Sequence, residues 1–350
     1  MKIETEIKLD FKDVLIKPVE SNLNSRSDVN LEREFTFRNN QYWKGVPIII
    51  SNMDTTGTFE MAIEASKYKI LTSIHKHYSI EDWKNFINNI SEFSENKFIY
   101  DYITVTSGIS ESDLDKLDKI LEMLPNIKFI HLDIANGYID KFFKIIEKIR
   151  YKYPNQILIA GSVVTPEIVE KYIRAGVDIV KVGIGSGSVC TTRKQTAIGY
   201  PQLSCVIECS NIAKALGGYI LSDGGCTCPG DFSKAYGAGG DFVMSGGMFA
   251  GHKECLGELI VKDDKQFKSF YGMSSLKANN NYNGGLSNYK SSEGKEVLIE
   301  YKGELKNTIL NILGGIRSTC TYTNTRYLKD LYFNTTFIRV SQQLNTVYGN

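Results

Sequence analysis

Eight short runs of β-branched and aliphatic residues, separated by stretches with helical spacing, constrain the fold of this chain more than any other feature. They are "VPIIISNM" (46–53), "ILTSIHK" (70–76), "FIYDYITVTSG" (98–108), "KFIHLDIANG" (128–137), "ILIAGSVV" (157–164), "IVKVGIG" (179–185), "GYILSDGG" (218–225) and "DFVMSGGMFAG" (241–251). Runs this continuously apolar suit parallel strands covered on both faces. The intervals between them carry helix signals. "SIED" at 79–82 is a capping-box pattern ahead of Trp83, Phe86, Ile87 and Ile90; Leu114, Leu117, Leu121 and Leu124 form one apolar stripe, and Phe142, Ile145, Ile146 and Ile149 another. Thr165 reads as an N-cap, Pro166 as the first helical residue and Gly176 as the stop. A strand–helix unit repeated eight times predicts an α/β fold, a (β/α)8 TIM barrel, with an open doubly wound sheet as the alternative.

Charge narrows the function classes. Lys+Arg 41 against Asp+Glu 40 gives a formal net charge of +1, so the balance gives no pull toward nucleic acid or an anionic membrane surface. Any anionic ligand must be held locally. The first residues, "MKIETEIKLDFKDVLIKP", have no apolar signal core, and no run approaches a membrane span. A soluble, cytoplasmic protein is expected. The seven cysteines are scattered without a paired framework and are expected to be free thiols. Cys226 and Cys228 lack a second pair at zinc spacing, so they read as small residues of a tight turn.

Barrel active sites lie on the loops at the C-terminal ends of the strands. Those ends read "SNMD", "HKH", "TSG", "DIANG", "GSVV", "GIGSGSVC", "SDGG" and "SGGM", small, polar and ionisable where the strand centres are apolar. The interval from residue 179 to residue 218 is the longest between consecutive runs, and it contains Cys190 in a Gly- and Ser-rich segment. "GIGSG" is neither a dinucleotide fingerprint nor a Walker loop. A lone cysteine is usually a small buried hydrophobe. Against that stands a thiol among freed loop amides and near Arg193, which makes Cys190 a nucleophile candidate. "SDGG" and "SGGM" fall where barrels often hold a phosphate on backbone amides. Asp223 can accept two hydrogen bonds and suits a ribose diol; the alternative is a helix or turn cap. Residues 271–304 are rich in Asn, Gly, Ser and Tyr between two alternating arms, which predicts a hairpin carrying a mobile flap over the barrel mouth, with Glu293 as its main carboxylate or simply a solvated charge.

The stretch "GIGSGSVCTTRKQTAIGYPQLSCVIECS", with "SDGGCTCPGD", "GGMFAGH", "FYGMSS", "SSEGK" and "GGIRSTCTY", resembles the GMP reductase branch of the IMP dehydrogenase and GMP reductase family. "LDFKDVLIKP", "SRSDV", "SNMDTTGTFEMA", "HKHYS" and "DIANGY" extend the similarity over nearly the whole chain. The resemblance implies NADPH-dependent reductive deamination of GMP to IMP with release of ammonia, in purine nucleotide interconversion, by a cytoplasmic homotetramer. It further implies that Cys190 attacks purine C2, ammonia leaves, hydride reduces the thioimidate and expulsion of the thiolate yields IMP. Thr192 and Glu293 match the relay that protonates the departing amine.

Carried over residue by residue, GMP is expected at Asp223, Gly224, Gly225, Gly246, Gly247, Gly272, Met273 and Ser274, with Lys290, Ser292, Glu293 and Gly294 from the flap. NADPH is expected at Lys76, Asp133, Ile134, Ala135, Ile184 and Gly185, with Ser25, Arg26, Ser318 and Tyr322 lent by a neighbouring subunit. Gly185, Gly187 and Cys190, near Arg193, resemble the family's monovalent-cation loop, which takes potassium. Two positions depart from the family. Lys290 replaces the Arg that opens the flap segment, and Ser186 replaces a Pro of the cysteine loop, a change expected to loosen it. The chain reads as one barrel domain over 1–350, with the C-terminal segment 305–350 at the barrel and subunit interface. One rival is IMP dehydrogenase, which normally carries a regulatory insertion absent here and an Arg-Tyr pair in its flap, where this chain has "LSNYKSSEGK". The other is a catalytically dead nucleotide-binding barrel, which would be expected to lose Cys190, Thr192 or Glu293.

Overall fold

A computed structural model describes residues 1–91 and 94–341. Residues 342–350, the end of the expected C-terminal segment, lie outside the described residues. The parallel strands are β1 (Tyr42–Ile50), β2 (Ile70–Ile74), β3 (Ile103–Ser107), β4 (Phe129–Asp133), β5 (Ile157–Val163), β6 (Ile179–Val182), β7 (Tyr219–Asp223) and β8 (Phe242–Ser245). Each pairs with the next, and β8 returns to β1 with Val243 opposite Ile48, so among the described residues eight parallel strands form a closed barrel. The open doubly wound alternative is excluded by that last pairing.

Both faces of these strands are buried, which explains their near-continuous apolar sequence. Ile49, Leu71, Phe129, Ile157, Ile159, Ile179, Leu221, Phe242 and Met244 point into the barrel, and their neighbours Ile48, Ile50, Ile130, Leu158, Val180 and Val243 pack outward. The period of two is hidden in sequence because inside and outside are equally dry. A short antiparallel strand, Arg33–Thr36, pairs with the start of β1 and delivers Phe35 beneath the barrel. Phe35 stacks on Phe242 at 4.4 Å and lies 5.8 Å from Trp43, and with Phe37 these rings close the N-terminal end.

The helices are α1 (Phe59–Ser66), α2 (Ile80–Ser91), α3 (Glu111–Met123), α4 (Asp140–Lys152), α5 (Pro166–Arg174), the short α6 (Thr192–Thr196), α7 (Gln202–Ala215), α8 (Pro229–Gly237), α9 (Leu276–Tyr282) and α10 (Leu305–Tyr322). The predicted capping box forms: the Asp82 amide donates to Ser79 Oγ (3.1 Å) and the Ser79 amide to Asp82 Oδ2 (2.7 Å). Thr165 occupies the N-cap of α5 without a side-chain cap bond, and its hydroxyl pairs with Tyr138 instead. The third strand begins later than the apolar run suggests. Residues 98–102 belong to a 3-10 turn, Ser94–Tyr102, where the Asp101 carbonyl accepts from the Trp43 indole (2.8 Å).

After β8 the chain leaves the barrel as β9 (Ile260–Lys262) and β10 (Lys265–Tyr271), joined through Asp263 and Asp264, both at positive φ (50° and 59°), and returns as β11 (Glu296–Glu300). Two positive-φ residues are what a tight hairpin requires. The expected arms are therefore present. Their middle holds more structure than its polar composition predicts: Ser275 caps α9 by accepting from the Ala278 amide (3.2 Å). α10 then packs between α8 and α1 and completes the helical ring. Among the described residues no helix is long and apolar enough to cross a membrane.

Candidate active site

With the lower end closed by aromatic rings, the barrel opens upward into a cavity of about 580 Å3 at the strand C-termini. Its wall includes Asn52, Lys76, Asp133, Ile134, Ala135, Lys181, Ile184, Gly185, Gly187, Cys190, Thr192, Asp223, Gly272, Met273, Ser274 and Glu293. Sequence reasoning assigned most of these to substrate or cofactor, and the fold brings them to one place.

Cys190 sits half-buried just before α6. Its Sγ donates to Thr192 Oγ1 (3.2 Å), and that hydroxyl donates to Glu293 Oε2 (2.7 Å). Backbone pairing sets this line. The Thr191 amide donates to the Glu293 carbonyl (2.9 Å) and the Lys295 amide to the Val189 carbonyl (2.9 Å), so the cysteine loop and the flap form a small bridge with Cys190 opposite Gly294. A nucleophile, a hydroxyl and a carboxylate in hydrogen-bond sequence can attack an electrophilic carbon and move a proton to a leaving group.

The loop is pinned as well as paired. Ser186 Oγ donates to the Asp223 carbonyl (2.7 Å), and the Ser186 carbonyl accepts from the Gly225 amide (3.0 Å). The expected loosening at Ser186 is thus corrected: a hydroxyl ties the cysteine loop to the end of β7, a bond that Pro has no donor to make. Gly224 and Gly225 take φ of 81° and 83°, and a Cβ on Gly224 would lie 2.7 Å from Ser186 Oγ. Only glycine fits so tight a left-handed turn. Gly246 and Gly247 lie on the neighbouring rim, where a Cβ on Gly247 would meet Ser188 Oγ at 2.4 Å.

Asp223 is no cap. Its carboxylate faces the cavity and takes Lys181 Nζ at 3.2 Å, while Asp133 takes the same ammonium at 2.5 Å and the Asn52 amide at 2.7 Å. Burial would raise the Asp133 carboxyl, but the charge and hydrogen bond of Lys181, with the hydrogen bond from Asn52, outweigh it and hold it well below the usual carboxylate range. Asp223 is pushed up, by burial first and by repulsion from Asp133, against the pull of Lys181. Lys181 is raised: its burial is overcome by the two carboxylates. Beneath them Ser73 Oγ joins Thr104 (2.7 Å), Thr106 (3.0 Å) and His131 Nδ1 (2.8 Å) in a buried polar layer. Sequence reasoning missed Lys181, Asn52 and His131. The signal for Lys181 was a charge inside the otherwise apolar strand "IVKV".

Other predicted residues lie elsewhere. Ser25, Arg26, Ser318 and Tyr322 do not line this cavity within one chain; Ser25 and Arg26 form an exposed turn, and Tyr322, also exposed, lies at the C-terminal end of α10. Lys290 and Ser292 precede Glu293, with Lys290 exposed beside its neighbour Tyr289. Arg193 packs its stem over Gly185 and is held by Asp10 (3.0 Å) and the Tyr200 carbonyl (2.5 Å); the Gly187 carbonyl accepts from the Cys190 amide (3.0 Å). Among the described residues no group of three or more His, Cys, Asp or Glu is arranged to hold a metal ion.

A closed barrel with a flap-borne carboxylate reaching a loop cysteine defines a class: the chain matches the IMP dehydrogenase / GMP reductase domain over residues 8–346 and belongs to that family. Within it the chain is similar to GMP reductase 1 of Homo sapiens, 55% identical over 349 residues, and to GMP reductase 1 of Rattus norvegicus, 54% identical, with 99% of each chain covered in both cases. It is 52% identical over 348 residues to the GMP reductase of Caenorhabditis elegans, covering 99% of this chain and 96% of that protein.

Proposed function

We propose that this chain is a GMP reductase, catalysing the NADPH-dependent reductive deamination of GMP to IMP and ammonia through a covalent intermediate on Cys190. The observation that carries the reading is the hydrogen-bonded line Cys190–Thr192–Glu293 at the wall of a cavity that also holds Asp223. Cys190 adds to C2 of the purine. Glu293 passes a proton through the Thr192 hydroxyl to the amine, which departs as ammonia and leaves a thioimidate. The nicotinamide cofactor supplies hydride when bound. The C–S bond then breaks, the thiolate returns to Cys190 and IMP is released. Each turnover takes up protons as it forms ammonium, so a relay opening toward the flap suits the stoichiometry.

Asp223 serves the ribose hydroxyls, and the amides of Gly224, Gly225, Gly246 and Gly247 serve the phosphate, with Gly272, Met273, Ser274, Lys290, Ser292 and Gly294 around the nucleotide. A second ligand beside the nucleotide is supported by the extent of the cavity, which continues past Asp133, Ile134, Ala135 and Ile184 to Lys76 and residues 108–110. In this reading Asp133 meets a carboxamide and Lys76 a phosphate, while Ser25, Arg26, Ser318 and Tyr322 complete a neighbour's site in a homotetramer. The carbonyls of Gly185, Gly187 and Cys190 are hard oxygen donors that suit potassium rather than a soft metal. The protein is assigned to the cytoplasm, as one barrel domain.

Two assays decide the reading. GMP with NADPH is expected to lower the reduced-cofactor absorbance, and IMP with NAD to leave it unchanged; a rise with IMP and NAD and no loss with GMP and NADPH would identify a dehydrogenase. Cys190→Ala is expected to abolish turnover while leaving GMP affinity largely intact, because binding is assigned to Asp223 and backbone amides. Reductase activity in that variant removes the covalent route.

A further inference from the structure

We infer that Lys181 is a positioning residue whose single ammonium serves both ligand subsites, holding the Asp223 carboxylate toward the substrate ribose and the Asp133 carboxylate toward the cofactor. The inference rests on the assignments of Asp223 and Asp133 proposed above. Lys181 is 3% exposed and projects inward from β6, between the apolar floor of the barrel and the cavity. Its Nζ lies 2.5 Å from Asp133 Oδ1 and 3.2 Å from Asp223 Oδ2. Room for it is built in: Gly161 stands opposite Lys181 in the β5–β6 register, and a Cβ there would lie 2.4 Å from the Lys181 carbonyl oxygen.

The charged and titratable groups facing this ammonium are Asp133 and His131 from β4 and Asp223 from β7. His131 is held neutral, its pKa lowered to about 3 by burial and then by Lys181. One cation therefore stands between two carboxylates. Without it they would face each other in a closed site, where like charges cannot both ionise easily. One would take a proton, and the ligand it serves would lose a charged acceptor. Lys181 touches neither reacting atoms nor, in this reading, either ligand. It sets the charge state and aim of the two groups that do.

The test is GMP and NADPH titration of purified variants, with thermal unfolding as the check on folding. Lys181→Met is expected to weaken GMP about tenfold, the equivalent of one pKa unit at Asp223, the carboxylate that burial and Asp133 already push up and that therefore takes the proton, and to weaken NADPH by less. Lys181→Arg, which keeps the charge, is expected to recover most of that loss. The decisive variant is Lys181→Met/Asp133→Asn. Neutralising the second carboxylate removes the repulsion, so GMP affinity is expected to return to within about threefold of the parent, a coupling that independent sites do not show. Loss of GMP binding in Lys181→Met with no recovery in the double variant means that Lys181 only fills space, and overturns the inference. Unchanged affinity in Lys181→Met overturns it too. Should Lys181→Met not fold, the double variant is compared with Asp133→Asn alone, and a tenfold gap between those two is the overturning result. Asp223→Ala, run in parallel, separates the two levels: unchanged GMP affinity there removes the ribose assignment itself, whereas a loss there beside a silent Lys181→Met removes only the role of Lys181.

Discussion

The Asp223 carboxylate illustrates how one residue changes meaning with its surroundings. In sequence it is an acid after a strand, as fit for a turn as for a ligand. In the fold it faces a cavity, with one oxygen on a buried ammonium. Losing a charged acceptor in a closed site costs on the order of 1.5–3 kcal/mol, so Asp223→Ala is expected to weaken GMP binding by that amount in calorimetric titration. Glu293 is equally ambiguous in sequence; in the fold Thr192 Oγ1 lies 2.7 Å from it. In the proposed mechanism deamination needs its proton, and hydride transfer does not. Glu293→Gln is therefore expected to cripple GMP reduction yet spare the rapid single turnover that forms NADPH when enzyme, IMP and NADP+ are mixed; equal loss of both in a variant that still binds its nucleotides would reduce Glu293 to a flap latch. That Cys190, Thr192 and Glu293 meet was legible because motifs carry them in order. Lys181 and Asn52 were not, since their roles depend on which strands adjoin, and no local pattern states that.

At the scale of elements, strands and helices were legible from period and caps, but boundaries yielded to tertiary contacts, as at residues 98–102. The flap is the larger lesson. Its Asn-rich middle looks unable to pack, yet α9 docks through a few specific partners: Tyr282 stacks on His77 with centroids 3.6 Å apart and donates to Asp54 Oδ2 (2.8 Å), which also accepts from Tyr271 (2.5 Å). A short polar helix thus stays on the rim through two rings and one shared carboxylate. Composition registers the shortage of apolar residues and not where the few tyrosines land. Tyr282→Phe keeps the stack and removes one bond to the carboxylate. The expected result is faster hydrogen exchange across 276–282 with little change in the melting temperature of the barrel, because local opening draws only on local contacts.

For the whole molecule, acid is the informative variable. All four histidines are lowered mainly by burial, His75 and His131 to about 3 and His77 and His252 to about 4. An unfolded chain protonates its histidines near pH 6.5. Between there and pH 4 the unfolded state binds more protons, so stability is expected to fall steadily as pH falls through that window. Urea midpoints at pH 7 and pH 5 test this; a midpoint unchanged at pH 5 would mean that the histidines are accessible in the folded state. The aromatic floor has a consequence of another kind. Phe35, Phe37 and Trp43 plug the barrel from below, so ligands reach the cavity among the described residues from the strand C-terminal side, where the flap stands. In the proposed reaction nucleotide, cofactor and ammonia would then cross the same rim, and the order in which they depart would be set there.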